Sequence, residues 1–533
     1  MGNSKSVGKT PILSDNEKTE FIGYDWPFEN LVFEGGGAKC ISSLGTVRVL
    51  EEIGATSKIR RFAGTSGGAI VSALLAIGYN TQEMEDTLGN VNLLQINEDA
   101  MFGVFSYIPN LVFKYGLHSG VNLYKWFGQL IEAKTGDPDY TFLQLYQKTG
   151  RELVITTTDI MQMDCIYCHV KTTPSMPISR ALRMSVSIPG QTQPVMTELE
   201  VCIDGGVLCN YPIKSFDGWF LSMAPEDAFL RKFREGHDDD GVLSSMWNPK
   251  NRFGTYNNKT IGVNVYSSQD EDIFKESLEN RKKEYTQEDD LPPYPKTKLA
   301  KSRAKKCKER KEALVEHKAM TKAMEGFLNC LSANDKDMSG TTSKEEFQTV
   351  IKKGGSAFTA DDANLLFGPD EDLDVLFDTL DLDKDGQISF YELTRFAEQR
   401  GQRLMTIHRT SRREQITSVG QFFAAFIETM VFHIGKGNVE LEQDVDRTIG
   451  IDTSYLSTLD FDMTKEDQQF LIQQGKVGCI AFLRHYIKSN KLTKSETPPA
   501  TKHETTTTAN DTPTAEETMP SKHEATENDT SAD

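Results

Sequence analysis

Apolar and polar positions divide the chain into stretches of different character. Leu31-Val32-Phe33 is a short apolar run that stops at Gly35-Gly36-Gly37, which predicts a strand ending in a turn. Beyond it, Ile41, Leu44, Val47, Leu50 and Ile53 recur at helical spacing, so this segment is predicted to be a helix with one buried face. Arg61-Phe62-Ala63 leads into Gly64, and residues 69–77 are apolar on every side, as a helix is only inside a large domain. Further strands are predicted at 152–156 and 260–265. Strands alternating with helices predict an α/β fold, a parallel-rich sheet flanked by helices. The apolar segment 101–113 is predicted to be buried core, with a lid that meets lipid as the alternative.

The pattern changes after about Asp270. Residues 296–318 hold ten Lys/Arg against three Glu and predict a basic helix, whereas 326–400 hold 16 Asp/Glu against seven Lys/Arg. Apolar patterning resumes through 422–432, 447–451 and 468–487. From Lys491 onward there are 12 Thr in 43 residues and almost no large apolar side chain, a composition that cannot bury enough surface to offset chain entropy.

Charge and composition narrow the function. The formal net charge is −19, which argues against nucleic acid as a partner, because phosphate binding needs a basic surface. The longest near-apolar stretch, 67–78, is shorter than a membrane-spanning helix, and the N-terminus lacks the apolar centre of a secretion signal. Eight cysteines without framework spacing suit a reducing compartment, so a cytoplasmic chain is expected. Met1-Gly2-Asn3-Ser4-Lys5-Ser6 fits the N-myristoylation pattern, which would attach Gly2 to a membrane peripherally. One acyl chain is marginal, so Lys5, Lys9 or the 296–318 helix would add attraction to an anionic membrane surface.

Three motifs carry candidate chemistry. Gly64-Thr65-Ser66-Gly67-Gly68 is a G-x-S-x-G sequence between a strand and a buried helix, the context of a nucleophile elbow. Glu34-Gly35-Gly36-Gly37-Ala38-Lys39 exposes successive backbone N–H groups that can bind a developing oxyanion. A phosphate loop is the competing reading, but the G-K-[ST] ending is missing and Cys40 stands where G-x-G-x-x-G has its last Gly. Val201-Cys202-Ile203-Asp204-Gly205-Gly206 ends an apolar run in a carboxylate that could act as base for Ser66. An α/β-hydrolase triad would need a histidine, for which His433 and His485 are available, but it would place several strands before the elbow and only one precedes it here.

Together, in this order, the three motifs resemble the patatin-like phospholipase family. The resemblance extends to Ala181-Leu182-Arg183-Met184-Ser185-Val186-Ser187-Ile188-Pro189, to Asn210-Tyr211-Pro212, and to the closing pieces Asp446-Arg447-Thr448-Ile449 and Thr458-Leu459-Asp460-Phe461. It implies a Ser–Asp dyad with Ser66 as nucleophile and Asp204 as base, and an oxyanion hole in the Gly35, Gly36, Gly37 and Ala38 backbone. Cys40 departs from the glycine usual in the family.

Two loops in the acidic segment fit the EF-hand pattern, in which hard oxygen ligands surround a sharp Gly turn. The second, residues 381–392, matches throughout, with Asp381, Asp383, Asp385, Gln387 and Glu392 as ligands and Gly386 at the turn. The first, residues 335–346, offers Asp335, Asp337, Ser339, Thr341 and Glu346, with Thr342 where an apolar residue would pair the loops; three carboxylates against four predict weaker binding. Cys165-Ile166-Tyr167-Cys168-His169 imitates a haem-attachment box, but it lies in strand- or turn-like sequence of a reducing-compartment chain, and a zinc site would need a second cysteine pair that is missing.

The organisation expected is an N-terminal acylation segment (1–25), a patatin-like catalytic domain in two parts (26–275 and 411–490), a basic linker helix (276–325), an inserted all-α EF-hand pair (326–410) and a tail (491–533). The function expected is a lipid acyl hydrolase acting on membrane phospholipid, with calcium regulatory and no cofactor for the chemical step. The basic helix is expected to contact the EF-hand pair, and calcium to raise turnover on membranes by moving it. The alternative is a membrane-tethered calcium sensor with an inactive catalytic domain.

Overall fold

The computed structural model describes residues 11–90, 96, 104–235, 242–267, 273–334, 340–353, 358–368, 373–399, 422, 425 and 442–494. Gly2, Asp335, Asp337, Ser339, His433 and most of the tail lie outside the described residues.

The apolar runs form a sheet. Strand β1 (Asn30–Phe33) pairs in parallel with β2 (Arg61–Thr65). Outside this sheet, β3 (Gly116–His118) forms a separate ladder, described with its partner below. Next in the main sheet come β4 (Glu152–Asp159), parallel to β2, and the antiparallel β5 (Asp164–Cys168). β6 (Gly190–Thr192) pairs with β3, while β7 (Val195–Met196) and β8 (Val201–Asp204) extend the main sheet antiparallel beyond β4. On the other side of β1 lies β9 (Thr260–Tyr266), parallel and buried along its whole length. A short antiparallel ladder joins β10 (Thr342–Ser343) to β11 (Gln387–Ile388), and β12 (Thr448–Asp452) returns to pair in parallel with β9. The main sheet therefore runs β12-β9-β1-β2-β4-β8-β7, with parallel strands at its centre and helices around it. The acidic segment lies in sequence between two neighbouring strands.

The helix Ser43–Glu52 realises the spacing that begins at Ile41, and Gly67–Ile77 is buried along nearly all its length. The C-terminal helix Lys465–Asn490 closes the body. A Cβ on Gly45 would lie 1.8 Å from Ile472 O, and one on Gly475 would lie 1.9 Å from Ser42 O, so these two glycines let the segments 42–52 and Lys465–Asn490 touch backbone to backbone. The helix Ile273–Tyr285 also packs here: Arg281 Nη1 donates to Val445 O at 2.9 Å, and Leu278 lies against Gly450. This core continues past residue 275, where the sequence pattern breaks.

A second core is separate and aromatic. Phe327, Phe347, Phe358, Phe367, Phe377 and Phe396 fill it, with ring centroids of Phe327 and Phe367 5.2 Å apart. Its first helix is the end of Lys298–Asn334, a single 37-residue helix. The basic stretch is thus the near half of the helix whose far end enters this core. Its Ala300 is buried with Ala38, Tyr455 and Leu456, and Lys318 Nζ pairs with Glu276 at 2.6 Å.

The 101–113 segment departs from the expectation of buried core. Its described end belongs to the helix Val104–Lys114, where Val112 and Phe113 face solvent.

Candidate active site

Sheet register sets the geometry. Thr65 pairs with Thr156 and Asp204 with Thr157, so Ser66, one residue past Thr65, stands level with Asp204 across β4. The chain turns sharply at Ser66, φ 52° and ψ −125°, before the helix Gly67–Ile77 begins. A left-handed φ at a residue with a side chain is strained, and such strain concentrates at functional sites. The turn needs its glycines: a Cβ on Gly64 would lie 2.3 Å from Gly68 O, and one on Gly68 would lie 2.4 Å from Glu34 O.

Ser66 Oγ donates to Asp204 Oδ2 at 2.7 Å, and Gly206 N–H donates to Asp204 Oδ1 at 2.7 Å. Both side chains are buried. Burial pushes the Asp204 carboxyl up to about 6, against the opposing hydrogen bonds from Ser66 and Gly206. Asp204 N–H donates to Ser187 O, and Arg183 holds that segment through Ser187 Oγ, Gly120 O, Ser119 O and Gln193 O. The 181–189 motif is therefore the support of the aspartate.

The glycine loop lies against the elbow. A Cβ on Gly67 would be 3.1 Å from Gly37 N, and one on Gly35 3.3 Å from Ser66 Cβ. Glu34 anchors the loop, its carboxylate accepting from Val265 N–H at 2.8 Å and from Asn210 Nδ2 at 3.3 Å. Two of the four amides expected to face an oxyanion are engaged elsewhere: Gly35 N–H donates to Asn210 O and Ala38 N–H to Thr458 O, each at 2.9 Å. Gly36 N–H faces the Cys40 sulfur, so the donor set narrows to Gly37, which lines the same cleft as Ser66. That cleft holds about 960 Å³ counted to its open mouth, and its walls include Ile70, Leu123, Trp126, Phe127, Ile188 and Met463. Mostly apolar, with a few convergent polar groups, it has the lining of a small-molecule site.

Among the described residues, the thiol and imidazole groups singled out in the sequence do not compete. Cys40 lines the cleft, but burial pushes its thiol up to about 12, so it stays protonated. His485 Nε2 lies 3.5 Å from Asp446 Oδ1 and stacks edge-on against Tyr285. Cys168 and His169 are buried, with His169 Nε2 3.2 Å from Glu152 Oε2, so this box faces core and not a haem.

Two buried anchors lie in segments that carried the resemblance in the sequence but had no role assigned there. Arg447 Nη1 and Nη2 reach Asp217 at 2.8 and 2.6 Å and its Nε reaches Asp444 at 2.9 Å, tying the closing segment to the first part. Tyr211 OH meets Thr448 Oγ1 at 2.8 Å over Gly262, where a Cβ would lie 1.9 Å from that hydroxyl. The signal for the first was a lone arginine beside two acids.

In the second EF-hand loop, carboxylate oxygens of Asp381, Asp383 and Asp385 lie within 4.8 Å of one another. Gly386 takes φ 82°, and buried Glu392 accepts from Leu382 N–H at 2.6 Å and Ser389 N–H at 2.7 Å. This oxygen-only donor set fits Ca²⁺. In the first loop, Thr341 Oγ1 donates to Gln387 Oε1 at 3.1 Å and Glu346 accepts from Ser343 N–H at 3.0 Å. Thr342 pairs with Ile388 despite its hydroxyl.

The patatin-like phospholipase model matches residues 31–217, a span that takes in the glycine loop, the elbow and Asp204, and an EF-hand model matches 373–397. An uncharacterized protein of Bacillus subtilis is 32% identical over 203 residues, covering 35% of this chain and 65% of that protein. An uncharacterized protein of Acanthamoeba polyphaga mimivirus is 30% identical over 230 residues, covering 43% of this chain and 73% of its own length. A protein of Invertebrate iridescent virus 6 named as a probable lipid hydrolase is 32% identical over 187 residues, covering 35% of this chain and 62% of its own. The family-model match falls on the stretch where register and glycines build the serine–aspartate pair. The chain belongs to the patatin-like phospholipase family and carries an EF hand.

Proposed function

We propose that the chain is a serine acyl hydrolase of phospholipase A or lysophospholipase type, cleaving fatty-acyl esters of membrane lipids, with calcium as its regulator. The observation that carries this reading is the 2.7 Å hydrogen bond from Ser66 Oγ to Asp204 Oδ2 in an apolar cleft. Asp204 takes the hydroxyl proton as Ser66 Oγ attacks the ester carbonyl. The oxyanion is stabilised by the N–H group of Gly37, near the N-terminus of the helix Gly67–Ile77. Collapse of the tetrahedral species releases the alcohol, which takes the proton from Asp204. Water then attacks the acyl-enzyme with Asp204 again as base, and the fatty acid leaves as Ser66 regains its proton. The base works only when ionised, so its raised pKa of about 6 places the acid limb of activity near that pH.

Calcium enters this reading through the helix Lys298–Asn334. Asp381, Asp383, Asp385 and Glu392, with Gln387, would hold the ion, which supplies charge neutralisation of the loop and no part of the ester chemistry. The far end of the helix contributes Phe327 and Leu331 to the EF-hand core. At the near end, Arg303 Nη1 donates to Tyr455 O at 3.0 Å and Nη2 to Asp460 Oδ1 at 2.9 Å. Between those two residues stands Thr458, whose carbonyl holds Ala38 N–H, and Met463 just beyond lines the cleft. A change at the EF-hand core is thereby linked to the glycine loop by continuous contacts. N-myristoylation at Gly2 would add a membrane anchor to the same chain. The test is hydrolysis of a fluorogenic phospholipid, with Ca²⁺ and with chelator, by wild type and Ser66→Ala: serine-dependent turnover supports the reading, and no turnover under any condition returns the chain to a sensor.

A further inference from the structure

The solvent-facing rim of the cleft is apolar on one side. Since Ser66 is level with Thr157, β4 continues past it to Asp159 before turning at residues 160–163. At about 3.3 Å per residue this turn projects roughly 10 Å beyond the serine, at the same edge of the sheet. The β7–β8 turn, residues 197–200, lies beside it, because Ile160 N–H donates to Val201 O at 3.1 Å. On these two turns Met163 is 84% exposed and Leu199 78%, and Ile160, Met161 and Met196 are also exposed. The rim meets the cleft at β6: Ile188 just before that strand and Gln191 and Thr192 within it line the cleft, and Gly116 pairs with its Gly190. Just before Gly116 stand exposed Val112, Phe113 and Tyr115, with Phe113 78% exposed.

Backbone conformation supplies an independent observation. Met163 has φ 55° and Tyr115 φ 63°, left-handed values that glycine adopts without strain. Each position therefore carries a strained backbone and an apolar side chain in water, and neither feature stabilises the folded chain.

We propose that this rim, from Phe113 and Tyr115 through Met196 and Leu199 to Met161 and Met163, enters the surface of a phospholipid bilayer and sets the cleft mouth against it. The proposal rests on the lipid-ester reading above. Continuity between rim and cleft wall gives an acyl chain an apolar route from bilayer to Ser66. A second copy seated on the rim would block the mouth that must admit a lipid. Charge around the rim is mixed, with Lys114 and Lys125 on one side and Asp164, Glu198 and Glu200 on the other. Contact by the rim is accordingly apolar and withstands salt, unlike attraction of a basic segment to anionic lipid.

The test is flotation of the full chain, expressed in bacteria so that Gly2 is unacylated, with phosphatidylcholine vesicles at low and high salt. Wild type floats at both. The triple variant Met161→Ser, Met163→Ser, Leu199→Ser, none of which lines the cleft, loses partition by about tenfold or more while keeping hydrolysis of a soluble short-chain ester. Met163→Gly, which removes the side chain together with the backbone strain, floats less and melts no lower than wild type. Equal flotation of wild type and triple variant overturns the proposal, as does wild-type flotation that needs anionic lipid and vanishes in salt. A wild-type dimer that the triple variant dissolves without loss of flotation assigns the rim to a second copy and also overturns it. The same comparison in a Ser66→Ala background needs no turnover, so loss of flotation there upholds the rim even if the hydrolase reading fails.

Discussion

Asp204 and the acids of the 381–392 loop are both carboxylates among backbone donors, yet they are held in different ways. Asp204 is buried, each oxygen has a fixed partner, and its neighbours are pinned by Arg183, Asn210 and Thr458 from distant parts of the chain. Asp383 and Asp385 are exposed and accept from amides of their own loop, Asp385 N–H on Asp383 Oδ1 at 3.2 Å and Gln387 N–H on Asp385 Oδ1 at 2.8 Å. The first site is preorganised, so its chemistry needs nothing further to assemble. The second gathers like charges that a divalent cation would complete, and is suited to reporting the presence of that ion.

The sharpest way to break this contrast is to remove the fixed site. Ser66→Ala and Asp204→Asn should each lower lipid-ester hydrolysis by about a thousandfold or more, while His485→Ala stays close to wild type. An equal loss in His485→Ala, read in the same assay, would demand a triad. Next comes the glycine loop. Gly37→Ala places a methyl where Thr458 O would be 2.3 Å away, at a backbone φ of 52°. Displacing that amide should cost about a hundredfold or more in kcat with a smaller change in KM, as measured by steady-state kinetics.

The ion-dependent site should give graded effects. Glu392→Gln removes the buried ligand of the better loop and should weaken the calcium response of hydrolysis more than Glu346→Gln does, with calorimetry reporting the affinity of each. Equal effects would mean that the two loops contribute alike. The smallest effect concerns the link between the sites. Arg303→Met breaks the contact to Asp460 and Tyr455 without touching Ser66 or the calcium ligands. It should leave Ca²⁺ affinity unchanged and reduce the calcium effect on turnover by a few-fold, about the size of an ordinary coupling energy.

The sheet and the elbow were legible because their signals are local. An apolar triplet before three glycines, helical spacing from Ile41, and G-x-S-x-G before an all-apolar helix each need only a short window. What depends on distant chain was not. Whether Gly35 or Ala38 N–H is available is decided by the carbonyls of Asn210 and Thr458, which no local pattern reveals. Val112 and Phe113 read as core because apolar sequence usually is, yet both face solvent. The basic stretch showed its charge but not its continuity into the EF-hand core, since charge spacing on a long helix does not mark where its packing partner changes.

The central claim is that a buried Ser66–Asp204 pair performs acyl transfer with the aspartate as base. It is tested most directly by following acylation of Ser66 by a chromogenic ester under single-turnover conditions from pH 4.5 to 8, with mass spectrometry locating the adduct. Because only ionised Asp204 can take the proton, and burial holds its pKa at about 6, the acylation rate should fall about tenfold per pH unit below that value and level off above it. The adduct should sit on Ser66 and be absent from Ser66→Ala. A rate that is flat down to pH 4.5, or an adduct on another residue, would contradict the account.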